Sequence, residues 1–401
     1  MHYSGRIRTI FKPVMLLWVL ISVLYFTGNV QGSEPFQNSQ QSTNLRVENK
    51  FQTKSIAKSP LFIVVIGDSI AWGSGLLESE KFSNRIAKWL EQSLHGQRQV
   101  VRIFCARAGA RFGVPVSTDE SRLCDNKVHA NRQGKVPTIQ QQVEMAVNTI
   151  RQQYASGPEH VELVLMTGGM SDVGLSTILD ANVGVETLRN KTRDIYHSGL
   201  SGSDGLLEKT ARVFSKAKLV YAGNYKLLSK VSSAEVLMDI FPFHNRAESA
   251  DELKQIKQRL NDQSTVFFDE SSKQVDLAIS KLNPSEQSRV KFVLPEFNEV
   301  DSLRRKKTGH STKQLHALYT YNDVYEHDEM LTKRILICKG DIFCDYASVG
   351  YPTRVGAAKY AKAIQKEITP FLSVWDSSKQ VGLKNDRRVN KAKLMDTQYR
   401  E

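Results

Sequence analysis

The chain has 401 residues, 40% of them hydrophobic and 24% charged, with a formal net charge of +13. That hydrophobic fraction fills a core and excludes a disordered chain, and the length suits one large domain or two small ones once an export segment is set aside. The positive charge is dispersed and no DNA- or RNA-binding motif accompanies it, which argues against nucleic acid as a partner. What remains is a solvated basic surface or one drawn to an anionic membrane or polysaccharide.

Residues 1–32 have the layout of an export signal. Arg6, Arg8 and Lys12 form a positive start, and Val14 to Phe26 is apolar except for Ser22. Val30-Gln31-Gly32 offers small residues for cleavage. The run is shorter than the roughly 20 residues of a membrane span, although it stretches to Val30 through Thr27, Gly28 and Asn29. A cleaved signal peptide and an uncleaved N-terminal membrane anchor both stay open. Either places the domain outside the cytosol: secreted, periplasmic or extracellular, or held at a membrane. Residues 33–59 are polar and read as a linker. Four cysteines fit an exported chain and pair by proximity as Cys105–Cys124 and Cys338–Cys344. Their spacings match no zinc signature. No metal or other cofactor is expected.

From residue 60 the pattern changes. Leu61 to Ile66 is a continuous apolar, β-branched run, the habit of a strand covered on both faces. Phe82, Ile86, Trp89, Leu90 and Leu94 recur at helical spacing. Val100–Phe104 reads as a second strand, and Pro137–Tyr154 as a helix with proline in its first turn. Val161–Met166 is a third strand, Leu206–Ala217 a helix, and Lys218–Ala222 a fourth strand. Residues 250–282 are helical and polar, with a break expected near Thr265–Phe268. Val290–Leu294 is a fifth strand. Val355–Leu372 closes the domain as a helix with Val355, Ala358, Ala361, Ile364, Ile368 and Leu372 on one side.

Alternating strands and helices predict an α/β fold, a doubly wound parallel sheet with ligands bound at the carboxyl ends of its strands. The domain is expected to span 60–373, with an insertion over about 223–289 that acts as a lid. Residues 374–401 form a basic tail holding Lys379, Lys384, Arg387, Arg388, Lys391 and Lys393. A second basic cluster is Arg304-Arg305-Lys306-Lys307.

The first strand runs into Gly67-Asp68-Ser69, followed by Ile70-Ala71-Trp72-Gly73. A serine between a buried strand and a helix is where a nucleophile is exposed, and glycine permits the tight turn that exposes it. The serine amide also donates toward an oxyanion. Three further segments follow in order: Cys105-Ala106-Arg107-Ala108-Gly109 after the second strand, Gly168-Gly169-Met170-Ser171-Asp172 after the third, and Asp345 to Thr353 before the last helix.

Together these four segments resemble the blocks of the SGNH (GDSL-like) hydrolases over roughly residues 61–372. The resemblance implies a flavodoxin-like three-layer αβα sandwich around a five-stranded parallel sheet of order 2-1-3-4-5, with Ser69 as nucleophile and the Gly109 amide helping to hold the oxyanion. Two positions depart from it. The third block's asparagine is Ser171, and the last block's histidine is Tyr351. The acid that orients the histidine falls on Ser348, and Asp345, six residues before Tyr351, is the remaining candidate. Serine is a poor nucleophile until a base with a pKa near working pH takes its proton. A phenol, ordinarily near 10, stays protonated at neutral pH. His129, His160, His310, His316 and His327 read as surface or loop histidines.

The resemblance therefore implies one of two functions. One is an exported serine ester hydrolase of weak or lost activity, acting on an acyl ester of a lipid or an O-acylated glycan. The other is a non-catalytic protein that binds the same ligands at the cell envelope.

Overall fold

The computed structural model describes residues 60–74, 76–113, 123–124, 136–202, 204–232, 247–296, 299, 304–307, 313–316, 352 and 354–376. The expected export segment, the linker, the Cys338–Cys344 pair, Asp345, Ser348, Tyr351 and the basic tail beyond Asp376 lie outside them.

The elements in chain order are β1 (Pro60–Ile66), α1 (Ser69–Trp72), α2 (Phe82–Ser93), β2 (Gln99–Phe104), α3 (Ile139–Tyr154), β3 (Val161–Met166), α4 (Met170–Val173), α5 (Leu175–Ile178), α6 (Val185–Leu200), α7 (Leu206–Val213) and β4 (Lys218–Ala222). Then come α8 (Ala250–Ser280), α9 (Pro284–Gln287), β5 (Val290–Val293), the short strands β6 (Arg304–Lys307) and β7 (Lys313–His316), α10 (Arg354–Ile368) and α11 (Leu372–Trp375). Strands β1 to β5 form one sheet in the order β2-β1-β3-β4-β5, and every pair in it is parallel. The predicted strand order is thus the observed one. The Arg304–Lys307 cluster lies on β6, which pairs antiparallel with β7.

The order explains where the helices go. Crossovers between parallel strands are right-handed. The chain moves outward from β1 to β2, then reverses over β1 to β3 and continues to β5, so α2 covers one face and α3, α6, α7 and α8 cover the other. Helix α10 returns to the first face, packing on α2, β4 and β5. Strand β1 is an interior strand, flanked by β2 and β3, with Leu61 to Ile66 buried, which is why that stretch is apolar without alternation.

Several local expectations need correction. Pro137 precedes helix α3 instead of entering it. Thr138 is the N-cap, its hydroxyl accepting from the Gln141 amide while the Gln141 side chain accepts from the Thr138 amide. Helix α8 runs unbroken through Thr265–Phe268. Phe267 is buried and the Thr265 hydroxyl bonds back to the Asn261 carbonyl, so tertiary packing overrides the weak helix propensity of a Thr-Val-Phe-Phe run. On α10 the buried face is Gly356, Ala357, Tyr360, Ala361, Ile364 and Ile368, while Val355 is exposed. Tyr360 turns the face, because its hydroxyl donates to the Gly223 carbonyl at 2.7 Å. Helix α6 was not anticipated at all. Its buried residues Leu188, Thr192, Tyr196 and Leu200 recur every fourth position, but two of the four are polar types. It packs along α8, and Arg193 meets the buried Glu270 there at 3.3 Å.

The Cys105–Cys124 disulfide is present. It ties the end of β2 to a segment docked on α3, where the Cys124 amide donates to the Thr149 hydroxyl at 2.8 Å. No helix among the described residues is long and apolar enough to cross a membrane.

Candidate functional site

The carboxyl ends of β2, β1 and β3 lie side by side, so the loops that follow them meet at one edge of the sheet. Gly67 makes the first turn with φ +141°, and a Cβ there would stand 2.6 Å from the Thr167 hydroxyl and 2.7 Å from the Thr167 carbonyl oxygen. Only glycine fits. The Gly67 peptide is then held on both sides. Its N–H donates to Gln142 Oε1 at 2.7 Å, and its carbonyl accepts from Gln142 Nε2 at 3.1 Å and from the Arg107 amide at 3.1 Å. Gln142 is fully buried on α3 among apolar neighbours. A buried primary amide that satisfies one backbone donor and one acceptor is a clamp on this turn.

Asp68 follows as the N-cap of α1. Its Oδ1 accepts from the Ile70 amide at 3.1 Å and from the Thr167 hydroxyl at 2.7 Å. Thr167 Oγ1 in turn accepts from the Ala71 amide at 3.1 Å. Asp68 Oδ2 is buried without a hydrogen-bond partner. Burial pushes this carboxyl up from its usual range, against the pull of the Thr167 hydroxyl and the Ile70 amide.

Ser69 is the first residue of α1 and is 2% exposed. The structure therefore sets it below the surface, where the sequence alone suggested an exposed hydroxyl. Gly109 lies in the turn after β2 with φ +78°, and a Cβ there meets nothing within 4 Å. Ser171 is half-buried in α4 after β3, beside Asp172. The carboxylate oxygens of Asp172 accept from the Phe112 amide at 3.1 and 3.2 Å, which locks the third loop to the second. Ser69, Gly109 and Ser171 are thus carried by three interlocked loops at one end of the sheet. Tyr351 and Asp345 lie outside the described residues.

Three histidine side chains are described: His95, His160 and His197, all exposed. His95 precedes β2 and His160 precedes β3, which puts both at the amino end of the sheet, opposite Ser69. His197 is on the outer side of α6. Among the described residues, no imidazole serves Ser69.

Asp172 is the titratable group that stands out. Burial pushes its carboxyl up to about 7, opposed by the Phe112 amide and helped by repulsion from Asp68. In the native state it holds a proton that the unfolded chain releases near 4. Its contribution to stability is therefore full below about pH 4 and is lost as pH rises through about 7. Asp172→Asn keeps an acceptor for Phe112 without the buried charge. It is expected to raise stability at pH 8 by on the order of 2 kcal/mol and to flatten the decline between pH 4 and 7. Denaturant melts of both proteins across that range check this. Parallel curves would show that Asp172 ionises freely.

Sequence reasoning missed Gln142, Thr167 and the role of Asp172. The available signal was a glutamine on the apolar face of a helix, between Ile139 and Ala146.

The fold and site define an α/β protein with a serine at the strand-to-helix turn after its first strand, β1. No family model matches the chain, and no curated protein does. Among solved structures, it is similar to an extracellular lipase from Streptomyces rimosus, at 13% identity and a TM-score of 0.37, over 76% of this chain and 99% of the other. It is similar to phospholipase A1 from Streptomyces albidoflavus, at 11% identity and a TM-score of 0.38, over 76% and 98%. A carbohydrate esterase family 2 enzyme with a carbohydrate-binding domain, from Corynascus thermopiles (Myceliophthora fergusii), matches at 12% identity and a TM-score of 0.33, over 82% and 69%. Likenesses this remote say nothing about chemistry.

Proposed function

We propose that the chain is an exported protein of the SGNH hydrolase type that binds an acyl ester of a lipid or O-acylated glycan at Ser69 and turns it over slowly. The observation that carries this is the clamped Gly67-Asp68-Ser69 turn at the end of the interior strand β1, flanked by the Gly109 and Ser171 loops. In this scheme Ser69 Oγ attacks the ester carbonyl. The developing oxyanion takes hydrogen bonds from the Ser69 and Gly109 amides and the Ser171 hydroxyl. The leaving alkoxide takes a proton from solvent and departs as the alcohol, and water later cleaves the acyl-enzyme to the acid and free Ser69. With Tyr351 where the base belongs, the proton passes to solvent, and the first step is slow. The positive net charge supports a location near an anionic envelope.

Binding is separable from turnover. A short N-acyl amide, unreactive and shaped like the ester, is expected to shift the backbone amide signals of Ser69, Gly109 and Ser171 at millimolar concentration. Ser69→Trp fills the site and abolishes the shifts. If those three signals stay still while others move, the ligand site lies elsewhere.

A further inference from the structure

We propose that Tyr196 and Tyr221, with Asn224, are positioning residues of this site: both phenols donate to the Gly168 carbonyl and so set the turn that carries Ser171. The inference rests on the assignment of Ser171 to the oxyanion site. Tyr196 comes from α6 and Tyr221 from β4, and both are buried. Their hydroxyls reach the same oxygen at 3.0 and 2.9 Å. Asn224 Nδ2 donates to the Tyr196 hydroxyl, which orients that phenol's own proton toward Gly168.

A buried carbonyl is satisfied by one donor. Two donors from different elements occupy both lone pairs and fix the direction of the bond. Because the peptide is planar, the Gly168–Gly169 unit is then fixed as a whole. The next peptide is pinned too: the Gly169 carbonyl accepts from the Asp172 and Val173 amides at 3.2 and 3.1 Å. The packing leaves no slack. A Cβ on Gly169, at φ +93°, would stand 2.2 Å from Tyr196 Cζ, and one on Gly168 would stand 2.6 Å from Phe112 Cε1. Phe112 meets Tyr196 edge to face at 5.3 Å, and its amide holds Asp172. Burial pushes both phenols above their ordinary pKa, so they stay protonated donors at any working pH. Ser171, whose side chain is shorter than asparagine, reaches an oxyanion only if this turn is held in place, and small misplacements of catalytic groups are expensive.

The test is a cycle of Tyr196→Phe, Tyr221→Phe and their double variant, each with Ser171 or Ser171→Ala. Activated acetyl-ester hydrolysis is read as kcat and KM, with backbone amide exchange at residues 169–172 beside it. The phenylalanines keep the ring packing, and the fold is checked by the melting temperature. The cycle is read in the Tyr351→His background, whose expected rate gives the range to see it, and the expected result is a kcat lowered about tenfold in the double variant, KM within about twofold, and less than about twofold further loss when Ser171 is already alanine. Exchange at 169–172 quickens while the sheet stays protected. An equal kcat loss in both Ser171 backgrounds, or unchanged exchange at 169–172, overturns the proposal. If the wild type shows no Ser69-dependent turnover, the esterase assignment fails separately. The shift of the Ser171 amide on adding the N-acyl amide then replaces kcat in the same cycle, with the same two outcomes.

Discussion

Replacing Tyr351 by histidine is expected to raise hydrolysis of an activated acetyl ester at least about a hundredfold over the wild type. The full deficit from a missing base in a comparable triad is about a millionfold, so there is room for a large gain. Three parts of the machinery already stand in the structure. The Gly67 turn is clamped by Gln142 and Arg107, Asp68 caps α1 from the residue before Ser69, and the Gly109 loop is linked to the Ser171 loop through Phe112 and Asp172. Adding Ser171→Asn supplies a longer donor and is expected to contribute about another tenfold, below the hundred- to thousandfold range of a full oxyanion-hole donor. Recovery stops short of an intact triad because Ser348 cannot orient the new imidazole as a carboxylate does, leaving it in the wrong tautomer or angle part of the time. Each variant is assayed with and without Ser69→Ala. A folded double variant with no activity would show that residue 351 does not stand where the base belongs.

Gly67→Ala is expected to destabilise the protein by about 3–5 kcal/mol, while Gly109→Ala costs about 1 kcal/mol. The two sites share a positive φ but differ in their surroundings. At Gly67 the added methyl meets the Thr167 hydroxyl and carbonyl and the Ala71 Cβ, all within 3 Å. Thr167 has to move, and its move breaks the bonds to Asp68 and Ala71 that hold the start of α1. Buried donors left without partners add about 1–3 kcal/mol each. At Gly109 the methyl enters open space, so backbone strain is the whole penalty. Urea melts of the two variants decide this. Equal losses would mean that strain alone governs Gly67.

The sheet was legible because Leu61–Ile66 is apolar without interruption, as a parallel strand covered on both faces requires, and four further apolar-rich runs, each carrying only one or two polar residues, follow it. Their alternation with helices made the sheet parallel, and their order followed from the resemblance carried by the four segments. Ser69, Gly109 and Ser171 were legible because each sits just past a strand or at a glycine turn. What escaped is what acts across the chain. Gln142 grips a peptide 75 residues away, and Tyr196 and Tyr221 reach Gly168 from 28 and 53 residues away. No local pattern encodes such contacts. Helix α6 escaped because two of its four inward residues, Thr192 and Tyr196, are not apolar in the usual sense. The α8 break was misplaced because β-branched and aromatic residues weaken a helix locally, and the burial that compensates is visible only in the fold.

The central claim is that Ser69 occupies a nucleophile's place without a base to activate it. It is tested most directly by the rate at which wild type and Ser69→Ala hydrolyse an activated acetyl ester at pH 7. The account predicts a wild-type rate within about tenfold of the uncatalysed background, with that excess removed in Ser69→Ala. A wild-type kcat near the enzyme median of about 10 per second, abolished by Ser69→Ala, would contradict it, because a base would then have to serve Ser69 from elsewhere in the chain.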